Sequence, residues 1–235
     1  MTTEEFSDQF DVLLNSYYMQ ANFNEDASNA TVYLNEYEKS VFLTDAQEQL
    51  IISYYSGRAL EGFEKTEEIR QYLDELIVDY TSSTFNSRSE YNNFKTTKLK
   101  LPDDCWFIIW EGAKYDTSDK CLNKEVEVTP IEHDNIWRLV SNPFKGVTDK
   151  RILRLNIKDN NIELISKYDL KYYHNRYIKS PSPIILINLP DGLTIEGSSI
   201  KTDCHLSEVL HSQILDLAVK NAIQSRSVAQ KSNSK

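Results

Sequence analysis

The chain has 235 residues, of which 40% are hydrophobic and 26% charged, and it contains only six glycines and six prolines. This composition is typical of a folded globular protein and excludes disordered and fibrous classes. The longest purely apolar runs, at 105–110 and 183–187, are far shorter than the roughly 20 residues that span a bilayer. Residues 1–15 carry acidic but no basic side chains, unlike a secretory signal, so we expect neither a membrane protein nor a secreted one.

The net charge of −10 is concentrated in the first third of the chain. Residues 1–79 hold 17 Asp or Glu against four Lys or Arg, whereas residues 80–235 hold 19 against 22. This asymmetry predicts that the first third has its own surface and its own neighbours. It also argues against tight wrapping of nucleic acid, because phosphate neutralisation needs clustered Lys and Arg.

The first 80 residues are predicted to be helical. Thr2 and Glu5 fit a capping box, in which each side chain satisfies a free backbone amide of the other residue. Apolar residues then recur at helical spacing, at Phe6, Phe10, Leu13, Leu14 and Tyr17. The polar residues 22–30 are predicted to be a loop.

Two further helices are predicted before residue 80. Thr44 with Gln47 fits a second capping box, and Gly57 would end the helix that it opens. Thr66 would cap a third helix, whose apolar stripe continues to Tyr80. This stripe consists of Ile69, Leu73, Leu76, Ile77 and Tyr80.

The pattern changes to strands after a Ser/Thr/Asn-rich linker at 81–89. Residues 94–192 are predicted to form a small antiparallel β domain. A hairpin is predicted where the turn residues at 159–161 separate two alternating segments. Ile136, Leu139 and Val140 predict a short helix near 134–141 that Pro143 stops. The strands are predicted at 105–110, 125–128, 151–157, 162–164, 172–178 and 184–189.

A final helix at 204–226 carries a wide apolar face, and the polar residues 227–235 are predicted to be a disordered tail. The partner of this face would be the helical part at 1–80. The predicted fold class is therefore α+β, with a helical domain formed by both ends of the chain and the β domain at 94–192 inserted into it.

No sequence motif for catalysis, cofactor binding or metal binding is present. Glu208 and His211 have the spacing of some carboxylate-bridged metal sites, but a second such pair is missing and a solvated helix face explains them. Asp103-Asp104 is expected to start a strand, and His133-Asp134 to begin the short helix. We expect no enzyme, no cofactor and no metal.

The three cysteines, Cys105, Cys121 and Cys204, lack the spacing of a zinc site and are expected to be reduced structural thiols. Tyrosine doublets occur at 17–18, 54–55 and 172–173. Two neighbouring rings cannot lie on one face of a helix or strand, so one ring of each pair needs another surface. They either cover a modest core or contribute to protein interfaces.

A family resemblance is carried by the segments 35–44 with 46–48, 63–70, 141–146, 150–155, Tyr177–Gly192 and Leu206–His211 with the last helix. These segments are similar to one family, a virion structural protein of crAss-like phages, which are short-tailed viruses of gut Bacteroides. The similarity extends over roughly residues 33–226, and its motifs are structural ones.

The resemblance implies a ring subunit of the tail or head–tail connector, docked below the portal protein among other tail proteins. Such rings are typically twelve-fold, belong to the virion and let DNA pass without holding it. The protein would be synthesised in the cytoplasm of the host. The alternatives are a fibre-attachment or stopper subunit of the same virion, or a small cytoplasmic hydrolase with an unrecognised carboxylate pair.

Within this interpretation, two regions are the candidate assembly contacts. Asn142, Pro143, Phe144 and Lys145 form a turn that would expose an aromatic ring, unless that ring is buried locally. The tail that begins after Arg226 would become ordered on a neighbouring ring.

Overall fold

The computed structural model describes residues 1–21, 33–57, 67–91, 94–119, 122–140 and 142–233. The chain divides into two compact units. Unit 1 comprises Met1–Leu76 and Pro181–Lys235, and unit 2 comprises Ile77–Ser180. The β part therefore begins and ends earlier than the predicted range of 94–192. The predicted loop at 22–30 lies outside the described residues.

The secondary structure is of the predicted α+β class. The described helices are α1 (Thr3–Ala21), α2 (Glu36–Ser56), α3 (Glu67–Tyr72), α4 (Ile136–Val140) and α5 (Glu208–Asn233). The described strands are β1 (Ile77–Ser82), β2 (Ser87–Tyr91), β3 (Phe94–Lys100), β4 (Cys105–Tyr115), β5 (Glu125–Pro130), β6 (Arg151–Asn156), β7 (Asn161–Ser166) and β8 (Leu170–Lys179).

Helix α1 begins where the sequence predicts. The Thr2 amide donates to Glu5 Oε2 (2.9 Å), and the Glu5 amide donates to Thr2 Oγ1 (3.2 Å). This reciprocal pair satisfies amides that have no partner inside the helix. Phe6, Phe10 and Leu14 on the apolar stripe are fully or almost fully buried, so the cap and the stripe together define the helix.

Helix α2 begins earlier than predicted. Its capping box is formed by Asn35 and Glu38, so the predicted box of Thr44 with Gln47 is wrong. Both of these residues are buried within α2. Their side chains hydrogen-bond the backbone of residues 182–184 at 2.9–3.4 Å. These polar side chains therefore stabilise the tertiary fold and do not cap the start of a helix.

The end of α2 is as predicted, whereas the third helix is shorter than predicted. Gly57 caps α2 in the left-handed conformation, with φ 70°. Thr66 lies outside the described residues. Helix α3 ends at Tyr72, and a short 3-10 helix leads into β1. Ile77 and Tyr80 therefore belong to a strand, where β-branched and aromatic side chains are favoured, and the predicted helical stripe is wrong beyond Leu76.

Unit 2 contains one sheet with the strand order β1-β8-β4-β5-β6-β7-β3-β2. Neighbouring strands are antiparallel except β5 and β6, which pair in parallel. The prediction of a purely antiparallel sheet is wrong at this pair. Parallel neighbours need a long crossover connection, and here residues 131–150 supply it. This crossover contains α4 and the predicted contact turn.

The sheet curls so that its two edge strands, β1 and β2, come close to each other. Strands β1 and β2 are the first and last in the strand order, yet only four residues separate them along the chain. Such a connection spans at most about 17 Å. The Tyr80 hydroxyl donates to the Lys100 carbonyl (3.4 Å), and Arg88 Nη2 donates to the Leu170 carbonyl (3.2 Å). These hydrogen bonds join the two ends.

The predicted hairpin of β6 and β7 is confirmed, whereas the predictions for residues 184–189 and 81–89 are wrong. Asp159 and Asn160 adopt left-handed φ values of 60° and 56°, which these turn residues tolerate. Residues 184–189, predicted as a strand, make only an isolated bridge at Ile185. The predicted linker at 81–89 contains the end of β1 and the start of β2.

Strand β6 is buried on both faces. The alternating pattern of residues 151–157 predicts Leu153, Leu155 and Ile157 on one face of the strand and Arg154 and Asn156 on the other. Leu153 and Leu155 are buried as predicted, but Arg154 is only 6% exposed. Arg154 Nε lies 2.8 Å from each carboxylate oxygen of Glu111. The Tyr173 hydroxyl donates to the same carboxylate (2.9 Å). Burial raises the pKa of Glu111, and the Arg154 charge and these hydrogen bonds oppose that shift.

Helix α5 packs against α1 and α2 within unit 1. The Tyr17 hydroxyl donates to Asp216 Oδ1 (2.7 Å), and the Tyr54 hydroxyl donates to Gln213 Oε1 (2.6 Å). The helix extends to Asn233, beyond the predicted end near residue 226, so most of the segment predicted as a disordered tail has helical backbone.

Candidate functional site

The predicted contact turn lies on the surface of unit 2, directly after α4 in the crossover between β5 and β6. Phe144 is 85% exposed, the largest value among the exposed large hydrophobic side chains of the described residues. Pro143 and Lys145 are also exposed. The structure thus brings four of the five predicted contact residues together, and the Phe144 ring is not buried locally.

The backbone of residues 142–146, the contact loop, is held by hydrogen bonds from both sides. Asn142 Oδ1 accepts from the amides of Phe144 (2.8 Å) and Lys145 (3.0 Å). The Gly146 amide donates to the Asn142 carbonyl (2.8 Å). Arg151 Nη1 donates to the Phe144 carbonyl (2.8 Å). A fixed backbone presents the ring at a low entropic cost of binding.

Gly146 is required for this loop conformation. An alanine Cβ at Gly146 would lie 2.4 Å from the Asn142 carbonyl oxygen and 2.5 Å from that of Leu139. Because both are backbone atoms, we expect Gly146→Ala to lower the free energy of unfolding by about 1–3 kcal/mol, measured by urea denaturation with tryptophan fluorescence. Gly192→Ala is the control, since nothing lies within 4 Å of its added Cβ and only backbone strain of about 1 kcal/mol is expected. Because Gly192 belongs to unit 1 and the tryptophans belong to unit 2, the control is followed by circular dichroism at 222 nm. Wild-type stability of Gly146→Ala would contradict this packing.

The surroundings of the contact loop are aromatic and basic. Trp137 on α4 is 66% exposed, and Arg138 and Lys150 are exposed cations nearby in sequence. Aromatic and Arg side chains are enriched in protein interfaces. Trp137 was not predicted as a contact residue, although Ile136, Leu139 and Val140 define the inward face of α4 and leave Trp137 outside it. A cavity of about 320 Å³ beside Trp137 is also lined by Ser89, Glu90, Thr96, Ile136, Glu163 and Ile165.

Arg226, the fifth predicted contact residue, belongs to unit 1 and not to the contact loop. It lies on α5, and its Nη2 donates to the Tyr33 carbonyl (3.0 Å). A groove of about 440 Å³ adjoins it, which we call the α2–α5 groove. The sequence pattern does not predict this groove. Its lining residues are Leu34, Tyr37, Glu38, Val41, Phe42, Ser225 and Arg226.

His211 lies in the core of unit 1 rather than on the solvated helix face that the sequence suggested. It is only 3% exposed, whereas Glu208 is exposed. Its Nε2 is 2.9 Å from the Leu206 carbonyl oxygen, and its ring packs against Phe6 with 5.3 Å between centroids. Burial lowers the pKa of His211. A buried neutral imidazole bonded to backbone is a structural residue.

The remaining candidate residues for catalysis or metal binding, where the structure describes them, are not brought together in one site. Residues 133–134 begin a 3-10 helix before α4, and residues 103–104 form the turn before β4, as predicted. Cys105 and Cys204 are free, and burial raises the pKa of both thiols to about 11, so both are protonated at neutral pH. Cys121 lies outside the described residues. Across the described ranges, no three His, Cys, Asp or Glu side chains are grouped to hold a metal.

Three carboxyl groups of unit 1 influence one another. Burial and the neighbouring Glu48 raise the pKa of Asp45. Burial, a hydrogen bond from Glu48 and the charges of Glu48 and Asp45 raise the pKa of Glu196 to about 7. This residue lies in a turn with φ 49°. Ionising Glu196 therefore adds a like charge to an already acidic surface.

This arrangement predicts a pH dependence of stability. The folded state holds the Glu196 proton more tightly than the unfolded chain, so the free energy of unfolding should fall as pH rises from about 4.5 to about 7. Because the side chain is exposed, we expect a loss of only about 1 kcal/mol. Urea denaturation at pH 5 and pH 8 should show that Glu196→Gln lessens this fall in stability, whereas Glu4→Gln leaves it unchanged. An unaltered difference in Glu196→Gln would contradict the prediction.

Comparisons with known proteins place these features in a family. A family model described as phage tail ring protein 3/4, of crAss-like phages, matches residues 1–235. The chain belongs to this family. It is 45% identical over 231 residues to "Ring protein 3" of Bacteroides phage crAss001, covering 96% of both chains. It is 33% identical over 238 residues to "Ring protein 4/5" of the same phage, covering 94% of this chain and 92% of the relative.

These matches confirm the resemblance stated from the sequence and extend it from residues 33–226 to nearly the whole chain. Both relatives are named for a ring, and neither name states a catalytic activity. Within the described residues, no helix has the length and apolar character needed to cross a membrane.

Proposed function

We propose that the chain is a non-enzymatic structural subunit of a ring in the virion tail of a short-tailed crAss-like phage. The observation that carries this proposal is the 45% identity to a protein named Ring protein 3 over 96% of both chains. Copies of the chain form a homo-oligomeric ring, twelve-fold like the portal below which it docks. The ring belongs to the head–tail connector and contacts other tail proteins.

The division of the chain into two units supports assembly into a ring. A ring closes through a heterologous interface, in which each copy uses two different surfaces. Unit 1 holds 21 Asp or Glu against nine Lys or Arg, a net charge of −12, and unit 2 holds 15 against 17, a net charge of +2. Surfaces of such different charge favour head-to-tail contacts over like-with-like pairing.

The same charge distribution suits passage of DNA. Every contact between Lys or Arg and phosphate adds salt-dependent affinity, and an ejection channel must not hold its cargo. We place the acidic surface of unit 1 towards the channel, where repulsion keeps the duplex mobile. A map of the assembled tail with these carboxylates on the outer wall would contradict this orientation.

The proposed function is tested by quantitative peptide mass spectrometry on density-purified virions of the phage that encodes the chain. We expect a ratio to the portal protein near one, since a ring matched to the portal has the same copy number. A much higher ratio would instead indicate a fibre-attachment subunit, and a lower one a stopper. Absence from the particle would overturn the virion role and reopen the question of a hydrolase.

The end of α5 is the second region expected to dock. We predict that deleting residues 227–235 leaves the fold intact, with circular dichroism at 222 nm reduced only in proportion to the residues removed. Incorporation of the truncated protein into tails should fall at least tenfold relative to full-length protein, measured by complementation of a phage that lacks the gene. Wild-type incorporation would show that these residues are not a contact.

A further inference from the structure

The α2–α5 groove of unit 1 has the composition of a receptor for an aromatic side chain. Its hydrophobic lining consists of the buried Leu34 and the half-buried Tyr37, Val41 and Phe42. Glu38 provides an exposed carboxylate at the rim, with Oε2 accepting from the Asn35 amide (2.9 Å). A volume of about 440 Å³ with two charged side chains among its lining residues, Glu38 and Arg226, is typical of a pocket that takes an apolar anchor.

The contact loop of unit 2 carries the complementary features. Phe144 is an 85% exposed ring on a backbone fixed by hydrogen bonds, and Lys145 follows it directly. Residues 145–151 contain three cations, Lys145, Lys150 and Arg151, against Asp149, whose carboxylate is paired with Lys167 at 2.9 Å. The loop is therefore a rigid, basic surface with an aromatic tip.

We infer that the α2–α5 groove receives Phe144 of a second copy of this chain, with Lys145 of that copy facing Glu38. The inference rests on the proposed ring function and specifies its subunit contact. The charge of the two surfaces selects this occupant, because the loop is basic and unit 1 carries a net charge of −12. The Arg226 guanidinium at the groove edge adds a planar cation against which an aromatic ring can stack.

The contact has the form that ring closure requires. The aromatic tip and the groove lie on different units of one chain, so each copy offers one tip and one groove to two different neighbours. Such a heterologous contact uses every copy identically and leaves no tip or groove unfilled once the ring closes. It also gives one function to the predicted contact residues 142–145 and to Arg226, which lie in different units.

Zero-length carbodiimide cross-linking of purified wild-type virions tests the contact directly. The reagent joins an amine to a carboxylate only where the two touch, so Lys145 should be coupled to Glu38 in a band of twice the subunit mass. The pair Lys201 and Glu4 of one chain, 3.8 Å apart and exposed, is the internal control for the reaction. If the control pair is linked but Lys145 is linked elsewhere or not at all, the inference is overturned.

The same experiment separates this inference from the proposed function. A chain that is present in the tail at the portal ratio but shows no link between Lys145 and Glu38 retains its ring role and loses this contact. A Lys145–Glu38 link found only at monomer mass would mean that the chain's own loop occupies the groove, which also overturns the inference.

A disulfide-trapping experiment on recombinant protein tests the apolar half of the contact. Phe144→Cys on one tagged copy and Phe42→Cys on another are mixed and oxidised, with serine in place of the three native cysteines. The matched control replaces Phe42→Cys with Val12→Cys, because Val12 is also in unit 1 and is 69% exposed. We expect at least a tenfold higher yield of heterodimer for the groove position. Equal yields would overturn the inference.

Discussion

Replacing Arg154 with methionine should lower the free energy of unfolding of unit 2 by about 3–5 kcal/mol. The guanidinium lies against the carboxylate of Glu111, and the two side chains are 6% and 7% exposed. Removing one partner of a buried ion pair leaves an uncompensated charge in a region that water cannot reach. Urea denaturation followed by tryptophan fluorescence reports this loss, because all three tryptophans belong to unit 2.

The double variant Glu111→Gln with Arg154→Met is the matched control. The amide oxygen of glutamine can still accept from the Tyr173 hydroxyl, which now bonds Glu111 Oε2 at 2.9 Å, and no unpaired charge remains. We expect this variant to regain most of the lost stability, since replacing both partners of a buried pair is often nearly neutral. Arg176→Met, which breaks the exposed pair with Asp79, should cost less than about 1 kcal/mol. Equal losses for Arg154→Met and Arg176→Met would contradict the buried pair.

Arg154 also shows why part of the fold is hidden from the sequence. Alternation of apolar and polar residues in β6 predicts one buried face and one exposed face. The sheet curls, however, and buries Ile152 and Arg154 together with Leu153 and Leu155. The carboxylate of Glu111, 43 residues away in the chain, makes the buried charge tolerable. The alternation of residues within β6 cannot predict that pairing.

The helix boundaries show the same limit at shorter range. Asn35-x-x-Glu38 and Thr44-x-x-Gln47 both fit a capping signature, and only the first is used, because the buried side chains of the second bind residues 182–184. Where a cap and its stripe agree locally, as at Thr2 and Glu5, the prediction is confirmed. Where a polar residue binds a partner that is far away in the sequence, the local pattern predicts the wrong role for it.

Only one part of the candidate contact surface, the exposed loop, could be predicted from the sequence. The turn formers around Phe144 predict an exposed loop, and its exposure of 85% agrees. The α2–α5 groove could not be predicted, because its walls come from α2 and from Ser225 and Arg226 at the far end of the chain. The family was predicted from the resemblance of whole segments and not from any catalytic or ligand-binding motif.

Replacing Lys39 with methionine should lower the free energy of unfolding of unit 1 by about 3 kcal/mol. Its side chain is 1% exposed, and Nζ donates to Ser7 Oγ (3.0 Å), Asp11 Oδ2 (2.7 Å) and Glu36 Oε1 (2.9 Å). Burial alone would lower the pKa of Lys39, but its hydrogen bonds and the two carboxylate charges raise it overall. The ammonium group therefore holds α1 against α2, and without it two carboxylates face each other.

Circular dichroism at 222 nm during urea denaturation measures this effect, because α1, α2 and α5 all belong to unit 1. Lys220→Met is the matched control, since Lys220 forms an exposed i,i+4 pair with Asp216 on α5, for which a loss of about 0.5 kcal/mol is expected. Adding Asp11→Asn and Glu36→Gln to Lys39→Met removes the facing charges and should restore a large part of the stability. If Lys39→Met unfolds at the same urea concentration as Lys220→Met, the buried ammonium does not hold the two helices together, and the acidic surface of unit 1 must be stabilised by its apolar contacts alone.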